Sequence, residues 1–342
     1  MKIENDRKLD FKDVLIRPKR STILSRNDVD LEREFHFPHS PKVWKGIPII
    51  ASNMDTTGTF EVYNVLKDYH IITCLHKFYT KEDYLNMKDK LDKRYFMIST
   101  GISEQDLNRL VEIIQVVDTD FICIDIANGY LESLITFCKK VRSMFPDKII
   151  VAGNVVSREI TEELILNGRV DIVKVGIGSG AACLTRKKTG IGIPQLSSVI
   201  ECSDAAHGVN GYIISDGGIT CPGDVCKAFG GGSDFVMCGS IFAGHDENPG
   251  ELIEEGGSKY KLFYGMSSSH AMKKHYGRMA NYRSSEGRVV KIKYKGGLKE
   301  TVQNYLGGIR SCCTYINAKK IKNIPKCTTF VMVSQQLNTS LV

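Results

Sequence analysis

The chain has no CxxC or HExxH spacing, no long apolar run, no block of like charge and no low-complexity tract. Each absence removes a class of protein. Without ligands at paired spacing, the eight histidines and eleven cysteines do not mark a zinc site. No apolar stretch approaches the ~18–20 residues of a membrane span. The charged start "MKIENDRKLDFKDVLIRPKR" lacks the apolar core of a signal peptide. The expectation is a soluble, cytoplasmic protein with no membrane partner. Its cysteines lie mostly inside apolar runs, as at Cys74, Cys123, Cys138 and Cys238, and read as buried reduced thiols. The net charge is +7, with the 46 basic residues spread along the chain. A nucleic-acid partner would call for a basic stripe with interleaved aromatics, so none is expected, and a small anionic substrate fits the mild positive field.

What the chain does have is a steady beat of short apolar runs. They are "IPIIASN" (47–53), "IITCLHK" (71–77), "YFMISTG" (95–101), "FICIDIANG" (121–129), "KIIVAGNV" (148–155), "IVKVGIGSG" (172–180), "GYIISDGG" (211–218) and "FVMCGS" (235–240). They are rich in β-branched residues and continuous rather than alternating, as strands covered on both faces should be. Amphipathic stretches such as "TFEVYNVLKDYH" and "EQDLNRLVEIIQVV" lie between them. Successive runs start 24 to 27 residues apart, except the sixth and seventh, which start 39 apart. Eight even β-α units predict a (β/α)8 TIM barrel rather than a doubly wound sheet. Residues 1–46 are then an N-terminal extension, 47–246 the eight units, 247–300 an insertion read as a mobile flap, and 301–342 a final helix and tail. Polar residues cluster at the strand C-termini (Asn53, Lys77, Asp125, Asn128, Asn154, Asp216, Ser240), where barrel active sites are built.

The one over-long connection, after the sixth strand, contains "GIGSGAACLTRKKTG". Long loops in compact barrels tend to be functional. Its lone thiol, Cys183, is either a small core residue or a nucleophile. Its place at the barrel mouth, beside backbone N–H groups and followed by Arg186, Lys187 and Lys188, favours a reactive thiolate. Glycines in "SDGGI" and "MCGSI" end the last two strands, where barrels commonly hold phosphate; otherwise they merely close tight turns. Lys174 offers a rival chemistry, a Schiff-base nucleophile, against the plainer reading of a lysine that snorkels outward between helices. The vicinal Cys312 and Cys313 read as packing, or as part of a loop before the final helix that could touch a ligand.

Taken together, "GIGSGAACLTRKKTGIGIPQ", "SDGGI", "FVMCGS", "YGMSS" and "YRSSEGR" resemble the family of IMP dehydrogenase and GMP reductase, from "FKDVLIRP" to "TTFVMVSQQ". Only "FYTKEDYLNMKDKLDKR" separates strands two and three, leaving no room for the CBS modules that the dehydrogenases usually insert there. "TRKKTG" and "SEGR" are closer to the reductase branch. Ser179 and Leu184 depart from that branch's usual proline and threonine. A dehydrogenase lacking CBS modules is the alternative.

The resemblance implies NADPH-dependent deamination of GMP to IMP by a homotetramer, with Cys183 as nucleophile and Thr185 and Glu286 relaying the proton to ammonia. It places Asp216 on the ribose and Gly217, Gly218, Gly239 and Ser240 around the phosphate. Gly265, Met266, Ser267, Arg283, Ser284, Ser285, Glu286 and Gly287 would line the base. The cofactor would lie along Lys77, Asp125, Ile126, Ala127, Ile177, Gly178, Ser311, Cys312, Cys313 and Thr314, with Ser25 and Arg26 arriving from a neighbouring subunit. A potassium ion would sit on the carbonyls of Gly178, Gly180 and Cys183, near Arg186.

Overall fold

Eight parallel strands close into a barrel in this computed structural model, which describes residue 1, residues 3–277 and residues 284–334. They are β1 (Ile49–Ala51), β2 (Ile72–Leu75), β3 (Phe96–Thr100), β4 (Phe121–Asp125), β5 (Ile149–Val155), β6 (Ile172–Val175), β7 (Tyr212–Asp216) and β8 (Phe235–Cys238). Each lies within the apolar run expected for it. Closure is made by β8, which pairs Phe235 with Ile214 of β7 and Val236 with Ile49 of β1. Helices cover the outside, and opposing strands fill the inside, so most strand residues are buried whichever way they point. That double burial explains runs without alternation.

The connecting helices start where the local chemistry tells them to. Ser103 accepts the Asp106 N–H at 3.1 Å, and the Asp106 carboxylate accepts the Ser103 N–H at 3.1 Å. This reciprocal cap opens the helix Glu104–Ile114, whose Leu107, Leu110 and Ile113 turn to the barrel.

Part of the N-terminal extension closes the bottom of the barrel. Its hairpin, Arg33–His36 paired with Val43–Gly46, pushes Phe35 and Trp44 under the strands. The Phe35 ring stacks on Phe235 at 4.3 Å and meets Tyr212 edge-on at 5.2 Å. Trp44 buries its indole yet donates to the Arg94 carbonyl at 2.7 Å, so no polar group is stranded. Upstream, Val14–Ile16 pairs antiparallel with Phe330–Met332.

The insertion after β8 is a built element. Ile253–Glu255, Ser258–Tyr264 and Val289–Lys293 form a three-stranded antiparallel sheet carrying a helix at Ser269–Tyr276. Phe263 anchors the sheet against Ala182 and Ala243. The C-terminal helix runs Leu298–Ile316, so Cys312 and Cys313 lie well inside it, not in a loop ahead of it.

Phe35→Ala should cost ~3–5 kcal/mol, the range for truncating a buried aromatic. A guanidinium unfolding midpoint unchanged from wild type would show that the N-terminal hairpin does not contribute to barrel stability.

Candidate active site

At the C-terminal mouth of the barrel lies a cavity of about 590 Å³, roofed by the insertion. Its floor is a chain of charges. The Lys174 ammonium, 3% exposed, lies 2.8 Å from Asp125 on β4 and 2.8 Å from Asp216 on β7. Asn53 donates to the far oxygen of Asp125 at 2.7 Å, and Asn154 donates to Asp216 at 2.8 Å. Burial alone would push the Lys174 pKa down, but the two carboxylates outweigh it and hold it well above the ordinary lysine value. Burial likewise raises the Asp125 pKa, and the Lys174 charge brings it below the carboxylate norm. The snorkelling reading of Lys174 is therefore wrong, because a buried lysine paired to two carboxylates inside the barrel mouth stays there. Its protonated amine is also no Schiff-base nucleophile.

On one side of this floor are unused N–H groups. Gly217 and Gly218 follow β7 at φ values of 90° and 78°, and Gly239 and Ser240 follow β8. Among the described residues, none of these four N–H groups is taken up by another part of the chain. A Cβ on Gly217 would lie 2.5 Å from the Ser179 hydroxyl, so only glycine fits there. Four free donors at two adjacent strand ends suit an anion. Ser179 ties the two loops together by donating to the Asp216 carbonyl at 2.9 Å.

On the other side is the thiol. Cys183 donates to the Thr185 hydroxyl (S to O 3.2 Å), which donates in turn to the Glu286 carboxylate at 2.8 Å. The loop and the insertion are joined by main chain. Leu184 donates to the Glu286 carbonyl at 2.6 Å, and Arg288 donates to that of Ala182 at 2.9 Å. Gly287 lies in this two-bond ladder, where a Cβ would come within 2.7 Å of the Ser268 nitrogen. Arg186 does not approach the thiol as an ion-pair partner. It meets Asp10 at 3.2 Å, donates to the Ile193 carbonyl at 2.8 Å and packs across Gly178 and Gly192. Lys187 and Lys188 are exposed.

Most of the expected residues come together here. Cys183, Thr185, Glu286, Asp216 and the glycines at 217, 218 and 239 line the cavity, as do Ser240, Gly265, Met266, Ser267 and Gly287. Lys77, Asp125, Ile126, Ala127, Ile177, Gly178 and Gly180 continue its wall. Ser284 and Ser285 do not line it; the Ser285 hydroxyl instead donates to the Gly287 carbonyl at 2.9 Å. Arg283 lies outside the described residues. Ser25 caps an exposed turn at Arg26–Asp28, away from the cavity. Ser311 and Thr314 bond to carbonyls of their own helix, Cys312 sits beside the Cys226 thiol, and Cys313 is buried in the core. Because the helix starts at Leu298, these four residues do not reach the cavity of their own chain.

Three residues escaped the sequence reading in these roles: Lys174 as the floor cation, Asn154 as its neighbour's donor, and Asp10 as the brace of Arg186. A signal for the first was present. A lysine in a strand buried on both faces needs a buried anion, and β4 and β7 each end in aspartate.

A profile of the IMP dehydrogenase / GMP reductase domain matches residues 8–339. The chain belongs to the IMP dehydrogenase / GMP reductase family. Among curated relatives, the GMP reductases of Klebsiella pneumoniae subsp. pneumoniae, Salmonella paratyphi B and Salmonella newport are each 54% identical over 342 residues. Each alignment covers 99% of this chain and 98% of the relative. The (β/α)8 fold of the family is the fold described above. No helix among the described residues is long and apolar enough to cross a membrane.

Lys174→Met leaves two carboxylates facing each other without their shared cation. Breaking a buried ion pair in this way costs ~3–5 kcal/mol, and denaturant unfolding should show a loss of that size. A variant as stable as wild type would mean that the aspartates do not depend on Lys174.

Proposed function

We propose that the chain catalyses the NADPH-dependent deamination of GMP to IMP and ammonia, the reaction of the reductase branch of its family. The observation that carries this reading is the Cys183–Thr185–Glu286 hydrogen-bond chain, set opposite four unengaged N–H groups in one cavity. A purine monophosphate would place its phosphate on the amides of Gly217, Gly218, Gly239 and Ser240 and its ribose hydroxyls on Asp216. Its base would lie under Gly265, Met266, Ser267 and Gly287, with C2 over the thiol.

The order of donors suits the chemistry. The thiol proton passes to Thr185 and on towards Glu286, leaving sulfur free to attack C2. An amine departs only when protonated, and the same two groups can return a proton to the exocyclic nitrogen. The C2–N bond breaks as ammonia leaves, and Cys183 holds the purine as a thioimidate. Bound NADPH would supply a hydride to C2; the C2–S bond then breaks, IMP departs, and the thiolate recovers its proton through Thr185 and Glu286. The wall from Ile177 and Gly178 past Asp125, Ile126 and Ala127 to Lys77 fits that cofactor, because Lys77 makes no ion pair among the described residues and is free for a phosphate. Ser25 and Arg26 would reach the cofactor from a neighbouring copy in a homotetramer, and residues 311–314 could contribute only through such a copy.

The thiol loop also fits a potassium ion. The carbonyls of Gly178 and Cys183 accept no hydrogen bond from the described residues, while that of Gly180 accepts the Cys183 N–H at 3.0 Å. Neutral oxygens suit a hard cation, and Gly178, Gly180 and Cys183 would hold it beside Arg186. No cluster of His, Cys, Asp and Glu among the described residues is arranged for another metal.

Incubation with GMP and NADPH, and separately with IMP and NAD, tests the reading. Oxidation of NADPH with release of one ammonia per turnover is expected in the first. NAD reduction with IMP as the only activity would favour the dehydrogenase.

Cys183→Ala should abolish turnover and leave GMP binding within a few-fold of wild type by calorimetry. Appreciable NADPH oxidation by this variant would remove the thiol from the mechanism. Glu286→Gln keeps the shape but not the basicity, and should slow ammonia release ~10²–10⁴-fold. Wild-type single-turnover rates for ammonia release would leave Glu286 with no part in the relay.

A further inference from the structure

Beside the cavity, a second cluster of charges joins the barrel to the insertion. Asp55 follows β1, next to Met54, which lines the cavity. Its side chain is 2% exposed. One oxygen accepts three hydrogen bonds: from the Tyr264 hydroxyl at 3.0 Å, the Lys274 ammonium at 2.9 Å and the His275 ring at 2.6 Å. The other oxygen is buried and has no partner among the described residues. Burial raises the Asp55 pKa, but the bonds from Lys274 and His275 outweigh it and hold the group ionised.

All three donors come from the insertion and none from the barrel. Tyr264 ends a strand just before Gly265, Met266 and Ser267, which form the cavity roof. Lys274 and His275 belong to the helix Ser269–Tyr276, whose Met272 and Tyr276 also line the cavity. His275 further stacks on Phe78 of the loop after β2, with ring centres 3.6 Å apart and planes within 5°. A buried carboxylate must be matched by donors or return to water. Here the barrel supplies the anion and the insertion supplies all three partners found among the described residues, so lifting the helix would exchange those bonds for water.

We infer that Asp55 is a positioning residue for the reaction: its carboxylate is the docking point that seats the insertion helix over the cavity and fixes the roof above the base. The identity of that base rests on the reductase reading, but the docking itself does not.

The test uses the full chain as wild type, Asp55→Asn, Lys274→Met and Lys274→Arg. Two quantities are followed: the rate at which iodoacetamide alkylates Cys183 without nucleotide, read on its own peptide by mass spectrometry, and the kcat and KM for GMP. Asp55→Asn and Lys274→Met should speed alkylation several-fold. They should also raise KM about tenfold, the scale of one charge-assisted hydrogen bond, with a smaller change in kcat. Lys274→Arg, which keeps the charge, should return both towards wild type. A purely structural role would lower the melting temperature without this split and without rescue by arginine. Wild-type alkylation rate and KM in folded Asp55→Asn would overturn the inference. Lys274 is half-exposed, so its two variants decide the matter even if Asp55→Asn does not fold. Should the wild type not turn over GMP at all, the reductase reading fails, while the alkylation rates still decide for or against docking by Asp55.

Discussion

Lys174 buries an ammonium group at the base of the cavity, and aspartates from strands on either side of its own meet it there. The cost of desolvating one cation and two anions is recovered only if all three are held in register. Register is what the barrel provides: Asp125 pairs with Gly153 and Gly153 with Lys174 across β4, β5 and β6, while Asn53 takes the outer oxygen of Asp125 and Asn154 donates to the Asp216 oxygen that Lys174 also meets. The two carboxylates then stand at fixed places in the cavity floor, one towards the ribose and one towards the cofactor in the proposed reading. Above the floor stand the loops that follow the strands and, over them, the sheet and helix of the insertion.

The thiol's partners are assembled differently. Thr185 is two residues from Cys183, but Glu286 is about a hundred residues away and arrives on the insertion. It is held by main-chain pairing between the catalytic loop and the returning strand, and by glycines that leave room for that pairing. The relay therefore exists only with the insertion in place. In the proposed reading, the barrel sets where the substrate lies and the insertion completes the acid–base chemistry above it.

Much of this was legible in the chain. Eight buried strands at an even interval declare a barrel, because no other use of eight doubly covered β-α units closes so simply. The long sixth connection pointed to Cys183 for the same reason: an excess of residues needs a purpose. What the periodicity could not show is how distant polar residues pair. Lys174 looks like an outward lysine until Asp125 and Asp216 are seen to converge on it. Asp10 lies in a charged segment that gives no hint of reaching Arg186. Residues 311–314 matched the family pattern, yet the helix from Leu298 turns them away from their own chain's cavity. Local pattern reports how a segment folds, and pairing across the barrel is a property of closure.

The two-bond ladder between the thiol loop and the insertion also sets a tempo. In the proposed reading a nucleotide lies beneath Gly265 and Gly287, and release of Leu184 and Arg288 from their carbonyls would widen its way out. Short antiparallel pairs form in roughly 1–10 μs, while a typical enzyme turns over about ten times a second. Re-zipping is thus some four orders of magnitude faster than a catalytic cycle. In the proposed reading, opening and reclosing this short ladder would therefore not limit turnover, so product could pass it in every cycle without slowing the reaction.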